Sequence, residues 1–173
     1  ILNLSPFLKN LQDKLHFKNV IDIGGGVGHL SRVLALYYQI DAISIDTNKQ
    51  FQENGKKRLN KYRRPPGAKN LTFLNLTFGN QSEHSLLNQY FNHHTFTLGL
   101  HTCGPLANHV INTTLEYQNI GLLNFGCCYH KLKQEIDFPL SNFFKNNFDI
   151  KMHQHSMTLA SRAHGPITFE DFN

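Results

Sequence analysis

Glycines at alternate positions, Gly24, Gly26 and Gly28, follow a short apolar run that ends in Asp22 and Ile23. An amphipathic stretch with apolar residues at helical spacing begins directly after these glycines. A strand, a glycine turn and a helix in this order are typical of a nucleotide-type cofactor site. Glycine lets the backbone turn tightly and approach a ligand without a Cβ in between. The first chemistry to expect from this chain is therefore cofactor binding.

The spacing of the glycines disfavours a dinucleotide. In the pattern G-x-G-x-x-G/A the third glycine would fall on His29 or on Ser31, depending on the starting glycine. The run instead reads acid-x-Gly-x-Gly-x-Gly from Asp22 to Gly28, which resembles motif I of the class I methyltransferases. The resemblance implies S-adenosylmethionine as cofactor, with Asp22 reaching its methionine amino group indirectly. It also implies that the glycines, with His29 beside them, line the methionine and ribose.

Two further positions are candidates for cofactor contacts. Asp46 ends the second apolar run, 18 residues after Gly28, where a carboxylate can accept from both ribose hydroxyls. The alternative for Asp46 is a helix N-cap, because Thr47 and Asn48 precede a helical pattern. After the third strand, methyltransferases commonly place an acid for the adenine amino group, and this chain has Thr77 there.

Histidines and cysteines follow the fourth and fifth predicted strands: His101 and Cys103 after one, and Cys127, Cys128 and His130 after the other. These strands are neighbours in a doubly wound sheet, so the five side chains could converge. A zinc site is one interpretation, but the spacings are unusual, and adjacent cysteines on extended backbone point to opposite sides. The second interpretation is that the cysteines pack as buried thiols, and the third is that these side chains line a substrate pocket.

Of these interpretations we favour a substrate pocket beside which one of the cysteines packs as a buried thiol, with no metal bound. The histidines, Tyr129 and neighbouring residues would face the acceptor, and a histidine would take its proton. The candidate catalytic residues are His101, Cys103, Tyr129, His130 and Lys131, and His101 is also a candidate for cofactor contact.

Two signatures make the resemblance more specific. Residues 100–104 read Leu-His-Thr-Cys-Gly and residues 124–132 read Asn-Phe-Gly-Cys-Cys-Tyr-His-Lys-Leu, followed by Phe-Pro-Leu-Ser at 138–141. This pair is similar to a family of eukaryotic methyltransferase-like proteins. More distantly, the adjacent cysteines resemble the Cys-Cys-His-His segment of tRNA 2′-O-methyltransferases. The resemblance implies an S-adenosylmethionine-dependent methyltransferase and favours RNA, either tRNA or rRNA, as the acceptor.

Other functions stay open. The chain has no Asn/Asp-Pro-Pro-aromatic run after the fourth strand, which disfavours methylation of a base amino group by that route. Neither Cys103 nor Cys127 lies in the Pro-Cys context of carbon-5 pyrimidine methylation. A protein or a small molecule could be the acceptor instead. A non-catalytic scaffold that keeps the fold, and an NAD enzyme, are the remaining alternatives.

The pattern of elements predicts an α/β fold in which a mostly parallel, doubly wound Rossmann-like sheet carries helices on both faces. A helix capped by Ser5 comes first. The predicted strands are 18–23, 41–45, 70–76, 96–100, 121–125 and 148–158. The further predicted helices are 30–38, 48–62, 82–91, 105–117 and 141–146. We expect one domain over residues 1–173 that is part of a longer protein, in which the last strand near Ile167 is short or missing.

Composition suits this prediction. The 173 residues are 40% hydrophobic and 17% charged, and three cysteines fit a reducing cytoplasm better than a disulfide framework. No apolar run is long enough for a membrane span, so we expect no membrane partner. The formal net charge of +5 and the basic residues between 56 and 64 permit RNA as a partner. They do not indicate a sequence-specific DNA reader, and the oligomeric state stays open.

Overall fold

A computed structural model describes residue 1 and residues 3–79, 87–133 and 137–161. Within them lies one five-stranded sheet in the order β3-β2-β1-β4-β5, with every neighbouring pair parallel. The strands are β1 Asn19–Ile23, β2 Asp41–Asp46, β3 Leu71–Asn75, β4 Thr95–Cys103 and β5 Gly121–Cys127. The predicted fold class is confirmed: this is a Rossmann-like α/β fold with a parallel sheet.

Helices connect and flank these strands. The α-helices are α1 Leu4–Leu15, α2 His29–Tyr37, α3 Lys49–Lys61, α4 Pro105–Glu116, α5 Asn142–Asn147 and α6 Gln154–Ser161. A short 3₁₀ helix at Tyr129–Lys131 follows β5, and α6 packs against it. The chain starts in the middle of the sheet, moves outward through β2 and β3, and returns to the other side of β1 as β4. The switch point therefore lies between β1 and β4, where ligands of such sheets bind.

Alternation along β1 divides the core between the two faces of the sheet. Ile21 and Ile23 belong to one apolar cluster, which includes Val110 of α4. Val20 belongs to the other cluster, which includes Leu8 of α1 and residues of α2. Because successive side chains of a strand point to opposite faces, both faces need covering helices. The helices on the two faces thus follow from this alternation.

The structure corrects three predicted elements. Ser5 is not the N-cap of the first helix: α1 begins at Leu4, with Asn3 at the N-cap, and Ser5 is buried. β4 continues through Cys103, so His101 and Cys103 lie on the strand and not after it. The strand predicted at 148–158 is wrong, because α6 occupies its second half. Residues 151–157 contain no β-branched side chain, and burial of Met157 favours the helix.

The other predicted elements agree with the structure to within a few residues where the chain is described. The helix predicted at 141–146 is α5, Asn142–Asn147, with Ser141 at its N-cap. Residues 82–86 of the helix predicted at 82–91 lie outside the described residues, and the short strand considered near Ile167 lies wholly outside them.

Gly28 is the position where the glycine turn packs against the sheet, and we predict that Gly28→Ala destabilises the fold. Its φ is +67°, and an added Cβ would lie 2.6 Å from Cε1 of Phe73 on β3. We expect the free energy of unfolding to fall by about 2–4 kcal/mol, because the substitution causes both left-handed backbone strain and overpacking. Urea denaturation measures this loss.

Gly26→Ala is the matched control for this substitution. Gly26 has a similar φ of +58°, but nothing lies within 4 Å of an added Cβ. The free energy of unfolding of the control should fall by only about 1–2 kcal/mol, because this variant has the backbone strain without the overpacking. Equal losses in the two variants would show that contact with Phe73 does not constrain the turn.

Candidate functional site

A cleft of about 240 Å³ opens at the carboxyl ends of the strands. This volume is slightly below the range of about 300–1,000 Å³ that is typical of small-molecule sites. β1, β2 and β4 each contribute to its walls, so it lies at the switch point of the sheet. The lining residues are Ile23, Gly24, Ile45, Asp46, Thr47, Leu76, Phe78, His101 and Leu106. The predicted location of the site is thus the location of this cleft.

The glycine turn presents bare backbone. Gly24 and Gly26 have φ values of +73° and +58°, and no atom lies within 4 Å of a Cβ added to either. The amides of Gly24 and Gly25 both donate to the Ile45 carbonyl, at 2.9 and 3.1 Å, which holds the turn against the end of β2. The side chain of Gln52 on α3 donates to the Gly26 carbonyl at 2.7 Å. A ligand could therefore approach the turn closely while its backbone stays fixed.

Asp46 joins the glycine turn to the start of α3. One carboxylate oxygen accepts from the Gly26 amide at 2.9 Å, and the other accepts from the Asn48 amide at 2.8 Å. The Asn75 side chain donates to the backbone carbonyls of Asp46 and Thr47, both at 2.9 Å. Asn48, and not Asp46, caps α3 through its own side chain. Because each carboxylate oxygen has two lone pairs, Asp46 can still accept from a ligand in the cleft.

Asp22 lies beneath the turn and is 3% exposed. Its carboxylate accepts from the Ser31 hydroxyl of α2 at 2.7 Å. Burial raises the pKa of Asp22 from 3.8 to about 6; the Ser31 hydrogen bond opposes this rise and the charge of Asp46 adds to it. A buried acid with a raised pKa beside a cleft is a common feature of functional sites.

Two predicted cofactor residues point elsewhere. His29 is exposed, and its ring nitrogens lie 3.1 and 3.2 Å from guanidinium nitrogens of Arg32 and Arg58. Thr77 is also exposed, and its neighbours Leu76 and Phe78 form the cleft wall on that side. The third glycine, Gly28, is buried against Phe73 and acts in packing.

The two signature segments meet in one corner at the ends of β4 and β5. The Thr102 hydroxyl donates to the Asn124 side chain at 2.7 Å across the strands. The Gly104 amide donates to the Cys127 carbonyl at 3.1 Å. A Cβ on Gly104 would lie 2.7 Å from Cβ of Lys131, so the two segments are packed closely there. We call this corner, formed by residues 101–104 and 124–131, the signature corner.

All three cysteines converge in the signature corner. The Sγ atoms of Cys103, Cys127 and Cys128 lie within 4.8 Å of one another, and those of Cys103 and Cys127 are 3.0 Å apart. The expectation that the adjacent cysteines point to opposite sides is wrong. It assumed extended backbone, but Cys128 has a left-handed conformation with φ 54° and ψ 45°. The thiols are half-buried and not enclosed in the core.

The remaining candidate catalytic residues are divided between the cleft and the signature corner. His101 is exposed and lines the cleft. The Tyr129 hydroxyl donates to the Gly126 carbonyl at 3.1 Å, and the His130 carbonyl accepts from the Gln154 side chain of α6 at 2.6 Å. Lys131 is exposed above Gly104. His101 is thus the predicted catalytic residue that the structure places at the cleft.

Three polar residues that support the site were missed by sequence reasoning: Ser31, Gln52 and Asn124. Ser31 and Gln52 occupy inward positions of α2 and α3, where buried polar side chains need partners. Their position on a buried helix face was the signal that could have found them. Thr102 and Asn124 are members of the signatures, and the strand pairing brings them together.

A family model described as a methyltransferase domain matches residues 2–135, which include the cleft and the signature corner. The chain belongs to this methyltransferase family. No curated protein matches the chain. Within the part of the methyltransferase domain that the structure describes, no helix is long and apolar enough to cross a bilayer.

The buried Asp22 carboxyl makes the stability of this methyltransferase domain depend on pH. Between pH 3.8 and about 6 the folded state binds more protons than the unfolded state, because the pKa of Asp22 is raised. Unfolding free energy therefore falls by about 3 kcal/mol as pH rises through this window, and this contribution is constant above it. Asp22→Asn keeps an acceptor for the Ser31 hydroxyl but carries no charge, so it should lack this fall.

Urea denaturation between about pH 4 and 7 measures the difference. Asp149→Asn is the control, because the Asp149 side chain is 80% exposed and should leave the wild-type dependence unchanged. If Asp22→Asn and wild type lose stability in parallel through this range, Asp22 is not the group responsible.

Proposed function

We propose that this chain is an S-adenosylmethionine-dependent methyltransferase that acts on RNA. The methyltransferase family supplies the reaction class. The observation that carries the choice of cofactor is the bare glycine turn: Gly24 lines a cleft that Asp46 borders, and no atom lies within 4 Å of a Cβ added to Gly24 or Gly26. A turn of this kind has room for the close approach of a polar ligand, and Asp46 offers acceptors for hydroxyl groups.

The residues around the cleft fit the chemical parts of S-adenosylmethionine. The Asp46 carboxylate would accept from the ribose hydroxyls, and the bare backbone at Gly24 and Gly26 would hold the methionine part. Leu76 and Leu106 offer apolar surface for the adenine. Asp22 lies beneath the turn and would support the cofactor site indirectly, through the turn and through the hydroxyl of Ser31, which donates to its carboxylate. When bound, the cofactor supplies a methyl group on a positively charged sulfur, which makes it reactive toward an oxygen or nitrogen nucleophile.

His101 is the residue we assign to proton removal. It is exposed at the end of β4 and lines the cleft, where a neutral imidazole could accept the proton of an acceptor hydroxyl. Beside it, the Thr102–Asn124 hydrogen bond and the packing of Gly104 against Lys131 fix the strand end. The chain would thus position the reactants and supply a general base. These two contributions account for a large part of the rate enhancement of many transfer reactions.

A basic surface on and after α3 supports RNA as the acceptor. Its residues are all exposed, and they give this side of the domain a dense positive charge that suits a phosphate backbone. They are Lys56, Lys57, Arg58, Lys61, Arg63 and Arg64. Two of them also have local roles, since Arg58 contacts His29 and Arg64 donates to the Lys69 carbonyl.

The cofactor assignment predicts a specific effect of Gly24→Ala. The added methyl would project into open space at the cleft, so it should weaken binding of S-adenosylmethionine and S-adenosylhomocysteine more than about tenfold by excluding ligand atoms. Isothermal titration calorimetry measures both affinities. Gly67→Ala is the matched control, because Gly67 has a similar φ of +79° but its added Cβ would meet the Gln39 side chain away from the cleft.

Two calorimetric outcomes would contradict the proposal. Intact wild-type protein that binds neither ligand would refute the cofactor assignment. Equal loss of affinity in Gly24→Ala and Gly67→Ala would show that backbone strain, and not entry into the cleft, weakens binding.

Transfer of labelled methyl from S-adenosylmethionine to cellular fractions tests the acceptor. We expect label in the RNA fraction, falling steeply as salt is raised because phosphate contacts are screened. His101→Gln should lower the transfer rate by about 10²–10⁴-fold while calorimetry shows cofactor binding retained. His93→Gln, on an exposed turn, should leave the rate unchanged.

The distribution of label decides between the alternatives. If the label is found in protein or in small metabolites instead of RNA, the acceptor belongs to that fraction and the proposal of RNA is wrong. Cofactor binding without transfer to any fraction would support a non-catalytic scaffold. Full activity of His101→Gln would assign proton removal to another group.

A further inference from the structure

The signature corner contains every cysteine of the chain, since Cys103, Cys127 and Cys128 are its three cysteines. Cys103 and Cys127 are directly paired in the register of β4 and β5, so their side chains extend from neighbouring strand ends. Cys128 follows in a left-handed conformation, which only a minority of residues other than glycine adopt. This turn brings a third Sγ atom to within 4.8 Å of the other two.

The arrangement differs from ordinary packing of cysteine in a core. All three residues are half-buried. Buried structural cysteines are among the most enclosed residues of a protein, and these are not fully enclosed. Three thiols at this separation form a donor set.

Metal binding at these thiols does not require a thiolate that is already formed. A bound cation compensates the negative charge of its ligands, so its binding displaces the thiol protons.

We propose that Cys103, Cys127 and Cys128 bind a thiophilic d¹⁰ cation through three thiolates, with Zn²⁺ as the preferred ion. Zn–S bonds of about 2.3 Å in tetrahedral geometry place sulfurs about 3.8 Å apart, within the spread of these atoms. Binding forms three metal–sulfur bonds and releases three thiol protons to solvent, and no electrons are transferred. The Cys103–Cys127 sulfur pair would have to separate slightly from its 3.0 Å.

The fourth coordination position would be open. Among the described residues, no histidine, aspartate or glutamate joins the three thiols within the same distance. Three protein ligands with an open fourth position, filled by water, is the arrangement of catalytic rather than closed structural zinc sites. The site adds to the proposed methyl transfer and does not depend on it.

Cobalt titration of the reduced, chelator-treated protein tests the site. Because the chain has no other cysteine, a thiolate-to-cobalt charge-transfer band reports this trio alone. We expect saturation near one equivalent of Co²⁺, bleaching of the band by Zn²⁺, and loss of about a third of the band in each Cys→Ser variant. Each variant should also bind Zn²⁺ at least about tenfold more weakly in chelator competition.

The control replaces the adjacent histidines His93 and His94, whose rings lie 4.0 Å apart and could bind a metal weakly. The double variant His93→Gln/His94→Gln should leave the charge-transfer band unchanged. A second measurement needs no variant: Zn²⁺ should protect the thiols of the wild-type protein from a thiol reagent.

Several results would overturn the proposal. The first is that reduced protein gives no thiolate band with Co²⁺, or a band that the Cys→Ser variants retain. The second is that Zn²⁺ leaves thiol reactivity unchanged. A Cys103–Cys127 disulfide that forms quantitatively in the presence of equimolar Zn²⁺, seen by mass spectrometry, would instead identify an oxidisable pair.

Discussion

The shape of the cleft depends on the Asp46 carboxylate. By accepting from the amides of Gly26 and Asn48, this one side chain ties the turn after β1 to the beginning of α3. Hydrogen bonds to a charged acceptor are among the stronger ones in proteins. The Asn75 amide extends the connection to the end of β3. Three strand ends are thereby held in fixed relation before any ligand arrives, and a preformed site loses less entropy on binding.

Two carboxylates at this end of the sheet have different environments. Asp22 is enclosed under the glycine turn and has a raised pKa, whereas Asp46 borders the cleft and is bonded to backbone amides. The difference follows from alternation along the strands and from strand length: β1 ends one residue after Asp22, and β2 ends at Asp46 itself. One acid therefore supports the turn from below, while the other remains available at the surface of the cleft.

Sequence reasoning predicted the fold well because alternating strands and helices carry a strong hydrophobic pattern and because the glycine turn has few other uses. It failed at 148–158, where a polar segment becomes helical through tertiary burial of Met157. It failed also at Cys128, because nothing in the residue types indicates a left-handed conformation there. The positions of His29 and Thr77 could not be predicted, since the direction of a side chain at a strand or helix end depends on local packing.

The signature corner has a consequence for how this sequence can change during evolution. Thr102 and Asn124 lie more than twenty positions apart but share one hydrogen bond, and Gly104 leaves no room for a side chain beneath Lys131. A substitution at one member of such a pair creates a defect that only its partner can repair. These two stretches should therefore be inherited as a single unit, with correlated replacements.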